Sequence, residues 1–310
     1  MAETSLTAAE GERLRMLEAA RSLDDLLELT EAVSPEAAYL AAKAEWRTLK
    51  DTALPPAEET DGFPGDSVEI DGHTFHVHGI THTDTPAEHE FVRHHISEAA
   101  AAGAFTYCEQ GIRSMYFEDM DRVCEMDDYH WALKRCKELE IDSHLETAGD
   151  IDLLLEDLHS VTDQFRSILF SLIKSGSDLV GEQTTQALGD VATSFLSHHS
   201  DLGVGNDYTS YVLSRRASTD PAQLSALQRY YRTAFLPQTI EREWLRRHDP
   251  ELEITTHARN ERMADYVINH NEDAQQVHIV VGAAHQPGVL YYLHQYRTGE
   301  RTSAEFELME

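Results

Sequence analysis

The sequence has few lysines, few cysteines and no long apolar run. Five of its 25 basic residues are lysines, and 56 acidic residues oppose them, so the formal net charge is −31. A chain of this charge repels nucleic acid and anionic membranes, so neither is expected as a partner. The three cysteines, Cys108, Cys124 and Cys136, have no CxxC spacing, so they indicate neither a disulfide framework nor a zinc knuckle.

Membrane and export signals are also missing from the pattern. No apolar run approaches the roughly 18 residues of a bilayer-spanning helix. The opening "MAETSLTAAEGERLRM" lacks the basic start and apolar middle of a signal peptide. We therefore expect a cytoplasmic protein without membrane insertion. Because the acidity is spread along the chain, it favours the folded surface of a halophile's protein, with an acidic mesophilic protein as the alternative.

The order of apolar and turn residues predicts an α/β (α+β) fold with a central mixed sheet flanked by helices. Two helices are expected over 8–33 and 34–49, followed by an acidic linker, so 1–60 is interpreted as an N-terminal helical extension. The remaining 61–310 is interpreted as an α/β domain, with a helical insertion at about 143–250 between early and late core strands. The N-terminal helices are a candidate surface for a homo-oligomer.

The strand signals lie at both ends of that domain. "VEIDGHTFHVHGI" predicts a hairpin around Asp71 and Gly72, and "AFTYCEQG" predicts a short strand after a helix that ends at Gly103. Near the C-terminus, "VHIVVG" has the continuous apolar character of a buried parallel strand. "AEFELM" is interpreted as a final edge strand.

Two Gly-x-x-His motifs follow two of these strands. Gly79 precedes His82 by three residues, and Gly282 precedes His285 in the same way. Ligands of open α/β sheets bind at the carboxyl ends of the strands, so adjacent strands would direct both histidines into one crevice. The alternative is that His285 caps the next helix and His82 belongs to a surface loop.

Charged residues near the strand ends complete the candidate set. Glu109 ends the strand "AFTYC", where a carboxylate completes a two-His-one-carboxylate metal site or acts as a general base; a salt bridge to Arg113 is the alternative. Arg259 is a candidate clamp for a carboxylate or an oxyanion. For Arg262 we expect an ordinary surface ion pair.

Two further histidines, His76 and His78, share one face of the preceding strand. Either could be an additional ligand, but core or solvent positions are favoured. Cys108 is interpreted as a buried thiol. No phosphate loop, nucleophile elbow or dinucleotide fingerprint occurs in the sequence.

The order of these motifs resembles that of the TraB/PrgY and Tiki group, within the erythromycin-esterase-like superfamily. The group has an early Gly-x-x-His, a Glu-x-x-x-Arg after the next strand, a helix with Arg-Asn-x-x-Met-Ala, and a late Gly-x-x-His. Here these are "GITH", "EQGIR", "RNERMA" and "VVGAAHQPGVLYYL", over about residues 67–296. Departures are Gly111 in place of an aspartate, no C-terminal membrane segments, and no counterpart for the first 60 residues.

The resemblance implies a site built from His82, Glu109, Arg259 and His285. Tiki members resemble peptidases that depend on manganese or cobalt, TraB and PrgY members limit peptide pheromone activity, and esterase relatives use histidine to activate water. We therefore predict a hydrolase, most plausibly a peptidase, in which His82, His285 and Glu109 hold Mn, Co or Zn. Glu109 and Arg259 are its predicted catalytic residues, and a peptide or a small molecule is its substrate. The alternatives are a metal-independent esterase-like hydrolase and a non-catalytic peptide-binding regulator.

Overall fold

Five strands form one mixed sheet in the order β1-β2-β5-β3-β4. The computed structural model describes residues 6–57, 62–141, 166–196, 198–270, 274–302 and 306–308. The strands are β1 (Asp66–Ile70), β2 (His73–Ile80), β3 (Phe105–Cys108), β4 (Val123–Glu125) and β5 (Gln276–Gly282). β1 is antiparallel to β2, whereas β2, β5, β3 and β4 are parallel. The predicted mixed sheet flanked by helices is therefore confirmed.

The hairpin and the central strand form as their sequences predict. Asp71 and Gly72 both have positive φ, at 50° and 88°, which is the backbone of a two-residue type I′ turn. β5 has neighbours on both edges and is covered on both faces: Val281 lies in one hydrophobic cluster and Val280 in another. An apolar run without alternation is typical of a strand covered on both sides.

Helices cover both faces of the sheet. On one face, α15 (Arg259–Asn269) and α16 (Gln286–Thr298) contribute Met263, Val267, Val289 and Leu293. On the other face lie α4 (Pro86–Ala101) and α5 (Ile112–Tyr116). The remaining helices are α6 (Asp128–Glu138), α7 (166–175), α8 (Ser177–Val180), α9 (Glu182–Leu196), α10 (His199–Val204), α11 (Tyr208–Thr219), α12 (Leu224–Ala234), α13 (Gln238–His248) and α14 (Pro250–Glu253).

The N-terminal region has three helices where the sequence predicts two. They are α1 (Ala8–Ala19), α2 (Leu23–Thr30) and α3 (Pro35–Ala53). The predicted first helix is divided because Ser22 caps α2: its hydroxyl accepts from the backbone of Asp25, whose carboxylate accepts in return. These helices pack on α13, where Tyr39 stacks on Trp244 at 3.9 Å between ring centroids. The division at residue 60 and the homo-oligomer stay predictions.

Several expected elements lie partly outside the described residues. The start of the helical insertion predicted at about 143–250 lies outside the described residues, and the insertion stays a prediction; residues 166–196 and 198–250 are helical apart from short turns. Of the expected edge strand "AEFELM", only 306–308 are described, and they belong to no strand. β4 and α6 were not predicted. None of the helices in the described ranges is long and apolar enough to cross a bilayer.

Candidate active site

Three of the predicted site residues meet at the carboxyl edge of the sheet. His82 follows β2 by two residues, Glu109 follows β3 directly, and His285 follows β5 by three. Because β5 lies between β2 and β3 and all three strands run parallel, their ends lie side by side. His82 Nε2 is 3.4 Å from Glu109 Oε2, and His285 Nε2 is 3.4 Å from Glu109 Oε1. The carboxylate of Glu109 therefore lies between the two imidazoles.

Gly282 makes this approach sterically feasible. A Cβ atom at this position would lie 3.1 Å from His82 Nε2, 3.5 Å from Glu109 Oε2 and 3.5 Å from His285 Cδ2. Its backbone N–H also donates to Glu109 Oε2 at 2.8 Å. The absence of a side chain thus leaves a small space on which all three functional groups converge.

Glu109 is buried and held as an anion. Arg259 Nη2 donates to its Oε1 at 2.7 Å, and the Glu109 side chain is only 6% exposed. Burial alone raises the pKa of Glu109, but His285, His82 and Arg259 outweigh it and hold the pKa well below its usual range. Arg113, the alternative partner, instead donates to the carbonyl of Val123 at 2.9 Å.

Arg259 is bound from two sides by carboxylates. Its Nε and Nη2 atoms donate to Oδ2 of Asp128 at 2.8 and 2.5 Å, while Nη2 also reaches Glu109. Burial raises the pKa of Asp128 to about 6, with Arg259 opposing and Glu109 adding to the shift. These contacts favour Arg259 as the residue that orients Glu109. Sequence reasoning missed Asp128 because it lies 131 positions from Arg259 and because β4, the strand that ends three residues before it, was not predicted.

The expectation of a surface ion pair for Arg262 was wrong in one respect. Arg262 forms an ion pair, as predicted, but the pair is buried: Nε and Nη2 donate to the two carboxylate oxygens of Asp127 at 2.8 and 2.5 Å. The consecutive residues Asp127 and Asp128 thus bind Arg262 and Arg259, which lie three positions apart on α15. This double pairing fixes α6 against α15 beside the site.

His285 is the better enclosed of the two histidines. It is the N-cap residue of α16, as the alternative expects, but its side chain makes no capping hydrogen bond. Its Nδ1 instead contacts Oδ1 of Asn260 at 2.7 Å, and burial lowers its pKa to about 4. Asn260 belongs to the "RNERMA" segment, and sequence reasoning did not predict this contact.

His82 lies in a different environment. Its φ of 59° is in the left-handed region, which a residue other than glycine rarely adopts, and its side chain is 33% exposed. Burial lowers the pKa of His82, but the neighbouring Glu109 carboxylate outweighs it, so the net shift is upward. Nε2 is buried and has no hydrogen-bond partner within the described structure. An unpartnered buried nitrogen at a strained position is typical of a functional site.

Glu88, a residue that sequence reasoning missed, holds the loop of His82. Its fully buried carboxylate accepts hydrogen bonds from the backbone and the hydroxyl of Thr81 and of Thr83, on either side of His82. Tyr116 donates a further bond at 2.8 Å. The unusual backbone of His82 is thus stabilised by a carboxylate from α4. The only sequence signal was an acidic residue in the first turn of that helix.

The other strand histidines lie away from this site. His78 is buried, with Nδ1 3.0 Å from the carbonyl of Pro64 and Nε2 2.9 Å from Nδ1 of His278. Burial lowers the pKa of His78 to about 3. His76 contacts Gln276 at 2.6 Å. These histidines lie along the strands rather than at their ends, in agreement with the core interpretation. Cys108 is a buried free thiol, as expected.

His82, His285 and Glu109 have donor atoms of the types that bind divalent metals. Ligand distances of about 2.0–2.2 Å place neighbouring ligands of one ion roughly 3.0–3.5 Å apart. The 3.4 Å separations between Glu109 and each histidine agree with this range. No group of three or more His, Cys, Asp and Glu side chains in the described ranges has the geometry of a metal cage as it stands. The oxygens of Glu109 already accept hydrogen bonds from Arg259 and Gly282.

Comparison of the chain with protein-family models, curated proteins and solved structures found no match.

Proposed function

We propose that this protein is a metal-dependent hydrolase, most plausibly a peptidase, with its site at the carboxyl edge of the sheet. The observation that carries the proposal is the convergence of His82 and His285 on Glu109, with each Nε2 3.4 Å from a carboxylate oxygen and Nε2 of His82 buried without a hydrogen bond. A structural ion-pair network would not need a strained His82 backbone or an unpartnered Nε2. The substrate is a peptide or another small molecule with a hydrolysable carbonyl.

His82, His285 and Glu109 would hold Mn²⁺, Co²⁺ or Zn²⁺ through their Nε2 and carboxylate atoms. Such an ion, when bound, lowers the pKa of water and polarises a substrate carbonyl. Arg259 and the N–H of Gly282 orient the Glu109 carboxylate and keep it ionised. In a hydrolase without a metal, Nε2 of His82 would be free of a metal ion, and His82, whose pKa is raised, would instead be the proton acceptor.

A hydrolase without a metal is the second candidate, favoured by one observation. Both oxygens of Glu109 already accept hydrogen bonds, which leaves Glu109 well suited to orient His82 as a general base. A binding protein without turnover would use the same residues, and the two classes differ only in whether product accumulates.

The test combines metal analysis with activity. Protein purified in high salt without chelator is expected to carry a near-stoichiometric metal that the His82→Ala/His285→Ala double variant loses. Peptide and ester libraries are then assayed with added Mn²⁺, Co²⁺ or Zn²⁺. We expect Glu109→Gln to lower kcat by a factor of about 100 or more while keeping the fold. The exposed Glu118→Gln variant is the matched control.

The outcomes separate the candidates. Turnover without metal would replace the metallopeptidase by the general-base hydrolase. No turnover with any metal, combined with peptide binding, would replace both by the regulatory protein. Equal kcat in Glu109→Gln and in the wild type would remove Glu109 from the mechanism altogether.

We also propose membership of the TraB/PrgY and Tiki group, on the four motifs in their shared order, and a salt-rich cytoplasm as the setting. The setting rests on the net charge of −31, whose self-repulsion salt screens. The protein is therefore expected to gain stability as KCl is raised from ~0.1 M to molar concentration, where the screening length falls from ~10 Å to ~3 Å. Denaturant titration at the two salt concentrations measures the effect, and unchanged stability would argue for the acidic mesophilic alternative.

A further inference from the structure

A chain of buried side chains connects His285 to the interior of the protein. Nδ1 of His285 contacts Oδ1 of Asn260 at 2.7 Å, and Nδ2 of Asn260 contacts Oε1 of Gln238 at 3.0 Å. The same Oε1 contacts Nδ1 of His257 at 3.0 Å, and Nε2 of His257 contacts the carbonyl of Gly203 at 2.7 Å. Asn260, Gln238 and His257 are each at most 2% exposed. Every contact in the chain therefore needs a donor and an acceptor from within the protein.

The backbone carbonyl at the end of this series of hydrogen bonds restricts where the protons can lie. The carbonyl of Gly203 can only accept, so Nε2 of His257 carries a proton. In the arrangement of the structure, Oε1 of Gln238 also only accepts, so Nδ1 of His257 carries a second proton and His257 is a cation. Asn260 then donates to Gln238 and accepts from Nδ1 of His285, which leaves Nε2 of His285 without a proton.

Reversing both amide groups gives the only other pattern that satisfies every contact. The nitrogen of Gln238 then donates to a neutral His257 and to the oxygen of Asn260. The nitrogen of Asn260 donates to Nδ1 of His285, so the proton of His285 moves to Nε2. A half-turn of an amide group exchanges its oxygen and nitrogen with little change of shape, so the hydrogen-bond network decides the orientation.

The two patterns differ at Glu109. In the first pattern a bare Nε2 of His285 faces a carboxylate oxygen at 3.4 Å, which is repulsive unless a cation lies between them. In the second pattern an N–H faces the same oxygen, which is attractive. The cationic pattern therefore suits a site that holds a metal ion, and the neutral pattern suits the metal-free protein.

We infer that His257, through Gln238 and Asn260, determines which nitrogen of His285 carries the proton, and that His257 gains a proton when a metal takes Nε2 of His285. The second part rests on the proposed function. His257, Gln238 and Asn260 are called the relay below; they act through His285 and are positioning residues. The proposal assigns a function to three buried polar side chains that the mechanism does not otherwise use.

The local backbone supports a functional role for this relay. His257 lies in a π-helical turn, Ile254–Ala258, directly before Arg259 and Asn260. π turns within α-helices occur frequently at functional sites. This irregular turn brings His257 into contact with Gln238 and Gly203, while Arg259 and Asn260 contact Glu109 and His285.

The charges around His257 leave it neutral in the metal-free protein. Burial lowers its pKa below the ordinary value; Glu241 and Glu253 oppose the shift, and Lys43 adds to it. Lys43 and the hydroxyl of Tyr39 both donate to Glu241, so the carboxylate that most raises the pKa of His257 is itself partnered. The second pattern is therefore expected at pH 8 in the absence of metal.

The experiment reads the tautomers directly, by two-bond ¹H–¹⁵N spectra of ¹⁵N-histidine-labelled, metal-free protein at pH 8. In the wild type we expect His285 protonated at Nε2 and a neutral His257. The carboxylate of Gln238→Glu can only accept from Asn260 and from Nδ1 of His257, so His257 should become doubly protonated. The nitrogen of Asn260 then faces this carboxylate and its oxygen faces His285, so His285 should become protonated at Nδ1. Gln295→Glu, a partly buried exchange on α16, is the matched control and should change neither.

Asn260→Asp tests the link independently. An aspartate accepts from His285 and from Gln238 together, so His285 should be protonated at Nδ1 while His257 stays neutral. The same His285 tautomer in the wild type, Gln238→Glu and Asn260→Asp would overturn the inference. Either variant suffices if the other does not fold, as judged by its amide spectrum.

Zn²⁺ added to the wild type tests the second part. We expect His257 to become doubly protonated as Zn²⁺ saturates the site, and no such change in Asn260→Asp. Zn²⁺ that binds at His285 while His257 stays neutral would overturn this part. If Zn²⁺ does not bind, Zn²⁺ is removed from the proposed metals and the second part is overturned for it, but the tautomers of the metal-free variants still decide the relay.

Discussion

The two Gly-x-x-His motifs have the same spacing and follow neighbouring parallel strands, yet they build different environments. His285 has an ordinary helical backbone, is 14% exposed and has a partner on Nδ1. His82 has a left-handed backbone, is 33% exposed and has an unpartnered Nε2. Burial lowers the pKa of the first, and the Glu109 carboxylate raises that of the second.

The difference teaches that a motif specifies where a side chain lies and that its neighbours specify what it can do. Titratable groups whose environments move their pKa values apart are suited to separate roles in acid–base chemistry. His285, neutral and held by the relay, is suited to ligation or orientation. His82, nearer the solvent, is suited to proton transfer. The predictions below test this division of roles.

The largest effect is expected from the carboxylate that holds the His82 loop. In Glu88→Gln, an amide N–H₂ would face the donors of Thr81 or Thr83, leaving buried donors without acceptors. We expect a loss of about 2–4 kcal/mol in the free energy of unfolding. Urea denaturation measures it, and Glu90→Gln on the same helix, which is exposed, is the control. Equal stability of the two variants would show that Glu88 does not hold the loop.

The first motif glycine should matter for packing. A Cβ atom on Gly79 would lie 2.7 Å from the backbone Cα of Ala283, which cannot move independently of β5 and its turn. We expect Gly79→Ala to lower the free energy of unfolding by about 1–3 kcal/mol. Gly11→Ala, where the added Cβ meets nothing within 4 Å, should not destabilise the protein. A Gly79→Ala protein as stable as wild type would contradict the close approach.

As pH falls, the contributions of the two histidines to the free energy of unfolding should change in opposite directions. The pKa of His285 is about 4 in the folded protein against 6.5 for the free side chain, so its contribution to stability is present above pH 6.5 and is lost as pH falls towards 4. Between pH 7 and pH 5 the wild type should lose about 2 kcal/mol more than His285→Gln. The pKa of His82 is raised, so its contribution is complete below pH 6.5 and is lost as pH rises through the folded value.

Denaturant unfolding of wild type, His285→Gln and His82→Gln from pH 5 to pH 8 compares the two slopes. The differences from wild type should change with pH in opposite directions for the two variants. Slopes of the same sign would mean that the two histidines share one environment after all.

The smallest effect on stability is expected at the second motif glycine. The added Cβ of Gly282→Ala would meet the flexible ends of His82 and Glu109 at 3.1 and 3.5 Å, so a small shift of these side chains relieves the contact. We expect a loss below about 1 kcal/mol, at the lower end of overpacking effects. Metal affinity or kcat should fall nevertheless, because the displaced groups define the site. A loss of stability as large as that of Gly79→Ala would contradict this assignment.

Sequence reasoning reached the convergence of His82, Glu109 and His285 because all three lie within three residues of a strand end. Adjacent parallel strands end at one edge, so a correct strand prediction carries these residues with it. Asp128 lies equally close to the end of β4, but it was not found because β4 itself was not predicted. Glu88 could not be found in this way, since it lies in the first turn of α4 and not at a strand end. Helical periodicity predicts which face of a helix is buried, but it does not predict which distant residue a buried polar group meets.

The burial of Arg262 could not be predicted for the same reason. Its ion pair with Asp127 joins residues 135 positions apart, and no local pattern distinguishes a buried pair from a surface pair. The third N-terminal helix was missed for a local reason, because Ser22 and Asp25 form a capping box inside an apparently continuous apolar pattern. β4 is three residues long, which is too short for a recognisable alternation.

The position of β5 has a consequence for protein synthesis. β5 is the middle strand, but its first residue is made 168 positions after the last residue of β3. β5 begins 196 positions after β2 ends and 151 positions after β4 ends. At about 5–20 residues per second, the β1–β2 hairpin therefore waits roughly 10–39 seconds, and the β3–β4 pair roughly 8–30 seconds, before synthesis of the strand that joins them begins. Until then both pairs expose an apolar edge. We expect the nascent chain to depend on chaperones during this interval, and the active site to assemble only when β5 has emerged.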